Sequence, residues 1–187
     1  MLAIALIGIF LGVSTANGES IPVSVKGFFL QVNNTFGKIA EQPEIAGRKC
    51  DVLVSTAMDT EEIAKAVAAS MSSKLSQAQT ARLKAAVKTR FNRECSQLRD
   101  DIGQEPLNIL KARQKGALWI VTTRAATPEG KDRTIVWKLK QGGKWGMLAE
   151  DMTVDGRGVV ATLLTEMNNR LGGSNGNIDK AISALAR

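Results

Sequence analysis

The groups able to do chemistry in this 187-residue chain are carboxylates, amines, guanidinium groups and two thiols, because histidine and tyrosine are both absent. Without an imidazole there is no Ser-His or Cys-His nucleophile pair, no ordinary zinc site and no proton shuttle near neutral pH. Adjacent carboxylates remain as acid/base candidates, in Asp100-Asp101 and Glu150-Asp151. Neighbours in a strand point to opposite faces, so neither pair is expected to converge on one reacting atom. Glu61-Glu62 is expected at a helix N-terminus, where the macrodipole favours negative charge. Gly142-Gly143-Lys144-Trp145-Gly146 lies between two β-rich runs with no helix start behind it to receive an anion, so it reads as a hairpin turn and not a phosphate loop. No catalytic residue, metal ligand set or cofactor motif emerges, and the chain is expected not to be an enzyme.

Helical and strand periods divide the chain in two. Ile21, Val25, Phe28, Phe29, Val32, Phe36 and Ile39 recur at steps of three and four, behind Ser20 as the expected N-cap and Pro22 in the first turn. Cys50 to Met58 reads as a second helix. Asp59 with Glu62 opens a third, lined by Ile63, Val67 and Met71, and Ser76 with Gln79 forms a capping box for a fourth. The fourth carries Leu83, Val87, Phe91, Cys95 and Leu98 on one stripe, with Arg82, Lys84, Lys88 and Arg93 on its outer side. Then the period drops to two. The spacing predicts strands at 107–114, 117–124, 133–140 and 144–152, separated by Gly- and Pro-containing turns. Ile135, Trp137 and Leu139 alternate with Thr134, Lys138 and Lys140, so one face is buried and the other wet. Val160, Leu163, Leu164, Met167 and Leu171 restore the helical period, and Asn177 caps a last short helix. The expected architecture is α+β: a curved four-stranded antiparallel sheet covered on one face by about six helices.

The apolar run from Leu2 to Val13, followed by small residues at Ser14 and Ala16, predicts an export leader at 1–16 and a single domain at 17–187. The run is shorter than the roughly 20 apolar residues of a membrane span. A start further upstream would supply the basic opening that Met1-Leu2-Ala3 lacks. In an oxidising compartment Cys50 and Cys95 are expected to pair structurally; two buried thiols or a redox pair are the alternatives.

The formal charge of +7 is unevenly placed, with 9 basic and 3 acidic residues between 103 and 147. There is no Lys/Arg block and no recognised binding motif, and the 5 Phe and 3 Trp fall mostly at apolar-periodic positions, so nucleic acid is not the expected partner. Anionic headgroups or an acidic protein fit an exported chain better; solvated faces without a partner are the bland alternative. The apolar residues pointing inward from helices and sheet either fill a closed core or leave an apolar cavity, and periodicity does not separate the two.

Three stretches resemble the MlaC, or toluene-tolerance, family of exported phospholipid shuttles. Met58-Asp59, the helix behind it and Lys74-Leu75-Ser76-Gln77-Ala78-Gln79 are similar to the family's Asp, apolar helix and (T/S)-P-x-Q turn. Trp145 precedes Glu150-Asp151-Met152 in the matching strand order. Asp151-Met152-Thr153-Val154-Asp155-Gly156 is similar to the family's D-x-x-x-(E/D)-G before the last long helix. Arg157-Gly158, Gln77 in place of proline and the two cysteines depart from the pattern. The resemblance implies a cone-shaped, nuclear-transport-factor-like fold and a monomeric periplasmic carrier. It takes phospholipid from an inner-membrane ABC/MCE-type complex or an outer-membrane lipoprotein complex and delivers it to the other. Periodicity, not the resemblance, selects the candidate lining: Phe28, Phe29 and Phe36 from the first helix, Val67 and Met71 from the third, and Val87 and Phe91 from the fourth. Ile120 and Trp137 are added from strands, and Leu163, Leu164 and Met167 from the long helix near the C-terminus. A hopanoid or other apolar-ligand binder, or a small-ligand enzyme or adaptor on a similar fold, is the alternative function.

Overall fold

The computed structural model describes residues 20–71, 74–101, 105–127 and 129–187, with the side chains of 97–101 outside the description. The expected leader at 1–16, Leu98 of the fourth-helix stripe and the Asp100-Asp101 side chains therefore lie outside the described residues. Six α-helices and five strands follow in the order α1 Val23–Glu41, α2 Ala46–Ala57, α3 Thr60–Ala69, α4 Gln77–Asp101, β1 Asn108–Lys115, β2 Leu118–Ala125, β3 Arg133–Gln141, β4 Met147–Val154, β5 Arg157–Gly158, α5 Val159–Gly173 and α6 Ile178–Leu185. A single 3-10 turn, Pro43–Ile45, joins α1 to α2.

Local signals set the helix starts. Ser76 Oγ accepts from the N–H of Gln79 while Gln79 Oε1 accepts from the N–H of Ser76, closing the capping box in both directions. Asp59 Oδ1 accepts from the N–H of Glu62, and Asn177 Oδ1 from that of Lys180. At α1 the expectation fails. Pro22, not Ser20, occupies the N-cap position, and no side chain caps the helix there. Proline needs no acceptor for an N–H it lacks, so the start tolerates this.

The five strands pair antiparallel in the order β1-β2-β3-β4-β5. The strand beyond the four expected is only two residues long. It forms because Asp155 and Gly156 both adopt positive φ, 48° and 82°, the two-residue turn that joins twisted strands. Asp155 Oδ1 also accepts from the N–H of Thr134, tying that turn to the start of β3. The expected fourth strand begins three residues late, since Lys144-Trp145-Gly146 completes the turn with Gly142 and Gly143, where φ is 140° and 67°. A Cβ at Gly143 would lie 2.8 Å from the Leu148 side chain, so glycine is required there.

Two register shifts re-aim side chains. One falls between Ile109 and Lys111 in β1; the other leaves Glu150 of β4 unpaired between Ala149 and Asp151. The second overturns the expectation that Glu150 and Asp151 face opposite ways. With the extra residue, both carboxylates meet lysines of the outer face of β3: Asp151 with Lys138 at 2.7 Å and Glu150 with Lys140 at 3.3 Å.

The helices cover the inner face of the sheet. Val121, Thr123 and Ala125 of β2, Ile135, Trp137 and Leu139 of β3, and Met147 and Ala149 of β4 are buried there against α1 to α3 and α5. α4 forms the middle of the helical layer, packed on α2, α3 and α6.

Candidate functional site

Trp137 is the hub between the layers. Its ring meets Phe28 and Phe29 of α1 edge-to-face, with centroids 6.2 and 5.4 Å away. Its Nε1 donates to Thr123 Oγ1 at 2.9 Å, which satisfies the one polar side chain described as buried. Asn33, one turn further along α1, clamps the start of the sheet. Its Nδ2 donates to the carbonyl of Leu107 at 3.2 Å and its Oδ1 accepts from the Leu107 N–H at 2.9 Å.

Beside this hub lies an apolar cavity of about 60 Å³. Val32 and Phe36 of α1, Leu53, Val54 and Ala57 of α2, Met58, Phe91 and Cys95 of α4, and Trp137 and Met152 of the sheet line it, with Glu94 at its edge. Such a space takes a few water-sized spheres at about 10–15 Å³ each, whereas ligand pockets begin near 300 Å³.

Glu94 also lines a second, open cleft of about 710 Å³ between α4, α5, the β2–β3 turn and the β4–β5 hairpin. Leu163, Val154 and Val159 give it an apolar floor, and its walls are charged. At the cleft Arg90 pairs with Glu94 on its own helix at 2.7 Å and reaches Glu166 of α5 at 3.5 Å, and Arg170 completes the pairing of Glu166. Lys131, Arg133 and Arg157 on the rim have no ion-pair partner among the described residues, while Asp132 is paired with Arg124.

The structure divides the twelve residues chosen by periodicity. Phe36, Phe91 and Trp137 line the apolar cavity, and Leu163 lines the outer cleft. Phe28, Phe29, Val67, Met71, Val87 and Met167 are buried core, and Leu164 packs half-buried on that core. Ile120 is a correction: its neighbours Val121 and Trp119 take the inner face, which leaves Ile120 on the outer one, opposite Arg113 and Lys138. Sequence reasoning missed Leu53, Val54 and Ala57, although their spacing on α2 marks one stripe, Met58 just beyond it, and Val32 and Cys95, which it placed on apolar stripes but not in the lining. It missed Met152 because the bulge at Glu150 changes the phase of β4.

Cys50 of α2 and Cys95 of α4 are bonded in the structure, with Cα atoms 5.7 Å apart, so the wall of the cavity is cross-linked along the α2–α4 seam. Among the described residues no three His, Cys, Asp or Glu side chains gather as a metal site. Asp59 holds α3 to the sheet. Met58 bridges Ala149, and Lys140 reaches across β4 to Asp59 at 2.6 Å. Burial pushes the Asp59 carboxyl up, but the Lys140 ammonium and the Glu62 N–H outweigh it and hold the group below its ordinary value.

A family model described as MlaC protein matches residues 24–187. Among solved structures, that of a phospholipid-binding protein from Ralstonia solanacearum in complex with a phospholipid aligns with a TM-score of 0.65 at 14% identity. The alignment covers 88% of this chain and 97% of that one, a likeness of fold. No curated protein sequence matches the chain.

Proposed function

The chain belongs to the MlaC family, and from that premise we propose that it is a periplasmic phospholipid carrier, exported by a leader at 1–16, which works by shielding acyl chains and catalyses no reaction. The observation that carries this reading is the apolar cavity between helices and sheet, which shares Glu94 with a charged cleft large enough for a headgroup. Acyl chains occupy the enlarged apolar space past Phe91 and Trp137, and the headgroup stays in the cleft. Two chains of about 30 methylenes, at about 0.8 kcal/mol each, cost on the order of 20 kcal/mol to expose to water. Cargo therefore passes between docked partners, an inner-membrane ABC/MCE-type complex and an outer-membrane lipoprotein complex, and is not released into solution. The solved phospholipid-bound relative of the same fold supports the cargo class.

Because the cavity of about 60 Å³ is far below the volume of a lipid, loading separates elements around it. The cross-linked α2–α4 seam does not part. The Arg90–Glu166 bridge between α4 and α5 is the contact that gives way, since it spans the cleft beside Glu94, is partly exposed and is 3.5 Å long.

Native mass spectrometry of the chain purified from the envelope of a Gram-negative host tests the carrier reading. The expected result is a bound species heavier by one phospholipid. A chain that carries no lipid after purification and takes none up from vesicles contradicts it; a bound hopanoid or other apolar molecule keeps the cavity and replaces the cargo.

A further inference from the structure

We infer that the outer face of the sheet, away from the helices, is a docking surface for an anionic lipid bilayer. The bulge after Ile109 sets the phase of β1, so that Lys111, Arg113 and Lys115 all stand on the outer face, opposite Thr122, Ile120 and Leu118 of β2. They are spaced about 6.6 Å apart along the strand, two residues at a time. All three are exposed, and none has an ion pair or hydrogen bond among the described residues. Beside them runs a half-buried apolar row, Leu118, Ile120 and Val136, and Leu110 at the bulge is exposed.

The rest of that face is neutralised, because Lys138 and Lys140 of β3 pair with Asp151, Glu150 and Asp59. The free positive charge is thus concentrated on one edge strand next to apolar side chains. Charged side chains also blunt an edge against strand addition, but that task does not call for an apolar row beside them. Among the described residues no aromatic side chain stands on the outer face to stack a base, which disfavours nucleic acid. An open strip without a pocket fits a surface whose negative groups can move laterally to meet the cations, and a bilayer of anionic lipids is such a surface. The charge complementarity concerns the sheet alone and holds whether or not the cavity is loaded.

Vesicle flotation of the purified chain tests the proposal, with vesicles of phosphatidylcholine alone and of phosphatidylcholine and phosphatidylglycerol in equal parts. Binding is expected only to the second kind, and it is expected to vanish in molar salt, where screening shortens to about 3 Å. The variant Lys111→Gln/Arg113→Gln/Lys115→Gln is expected to bind on the order of a hundredfold more weakly, about fivefold per cation. The control Lys65→Gln/Lys84→Gln, on the helical side, is expected to bind like the parent. Should the triple variant fail to melt cooperatively, Lys111→Gln and Lys115→Gln alone carry the test at about fivefold each. Equal binding to both vesicles, parental binding by the variants, or no binding to either vesicle overturns the proposal.

Discussion

On α3 to α5 six cations have a carboxylate: Lys65 and Lys84 converge on Glu61, Lys88 meets Asp51, Arg82 meets Asp179, and Arg90 and Arg170 share Glu166. On β1, Lys111, Arg113 and Lys115 face solvent alone. Both layers are rich in basic residues, yet on α4 the charge ties that helix to α2, α3, α5 and α6, while on β1 it is available to a partner. Net charge therefore says little until each cation is placed. The outer cations of α4, which a sequence pattern presents as a solvated face, are internal ties. Exposed pairs of this kind contribute at most about 1 kcal/mol each, so they set helix register more than they stabilise the fold.

The layers also differ in what holds them. The sheet has its hydrogen-bonded ladder and the Trp137 hub; the helical layer has a covalent staple. Replacing both cysteines, as Cys50→Ala/Cys95→Ala, opens a loop of 45 residues and is expected to lower stability by about 4 kcal/mol in denaturant unfolding. The parent under reductant should match it. A variant as stable as the oxidised parent would show that the helical layer holds together without its cross-link and would remove the contrast with the sheet.

A smaller effect is expected where the layers meet. Asp59→Ala removes the cap of α3 and the partner of Lys140, for a loss of about 1–2 kcal/mol. The pH dependence has a definite sign. The Asp59 carboxyl is held below its ordinary value of 3.8 in the folded chain, so as pH falls the unfolded chain takes up the proton first. Its contribution is fully present above the ordinary value and is lost as pH drops through the lowered folded one. Asp59→Asn keeps a capping side chain and should show a shallower loss of stability than the parent as pH falls below about 4. Identical acid limbs for the two proteins would show that the Lys140–Asp59 contact does not couple the layers.

Local signals made much of the fold legible. The stripe Leu83, Val87, Phe91 and Cys95, the Ser76–Gln79 box and the glycine turn at 142–146 each depend on residues a few positions apart, and the structure has them where the spacing predicts. Phase within the strands was harder to read. In β2 both faces carry large apolar side chains, Leu118 and Ile120 against Trp119 and Val121, so composition alone does not say which face is inward. The bulges at Leu110 and Glu150 shift the phase by one residue for reasons that lie in the partner strand. The candidate site suffered most. Burial of Met167 and Phe29 follows from periodicity, but whether a buried side chain borders a cavity or fills the core depends on how separate elements meet. The Asp155-Gly156 pair did carry a readable hairpin signal, hidden by the helix that begins three residues later.

The central claim, that acyl chains enter between sheet and helices beside Trp137, is tested most directly by fluorescence quenching with phospholipids brominated along their acyl chains. In Trp119→Phe/Trp145→Phe, Trp137 is the remaining indole. Loading with the brominated lipid is predicted to quench most of its emission, while a phospholipid brominated only at the headgroup leaves it bright. Unquenched Trp137 emission in a chain shown by mass to hold the brominated lipid would contradict the account, since the cargo would then sit outside the cavity.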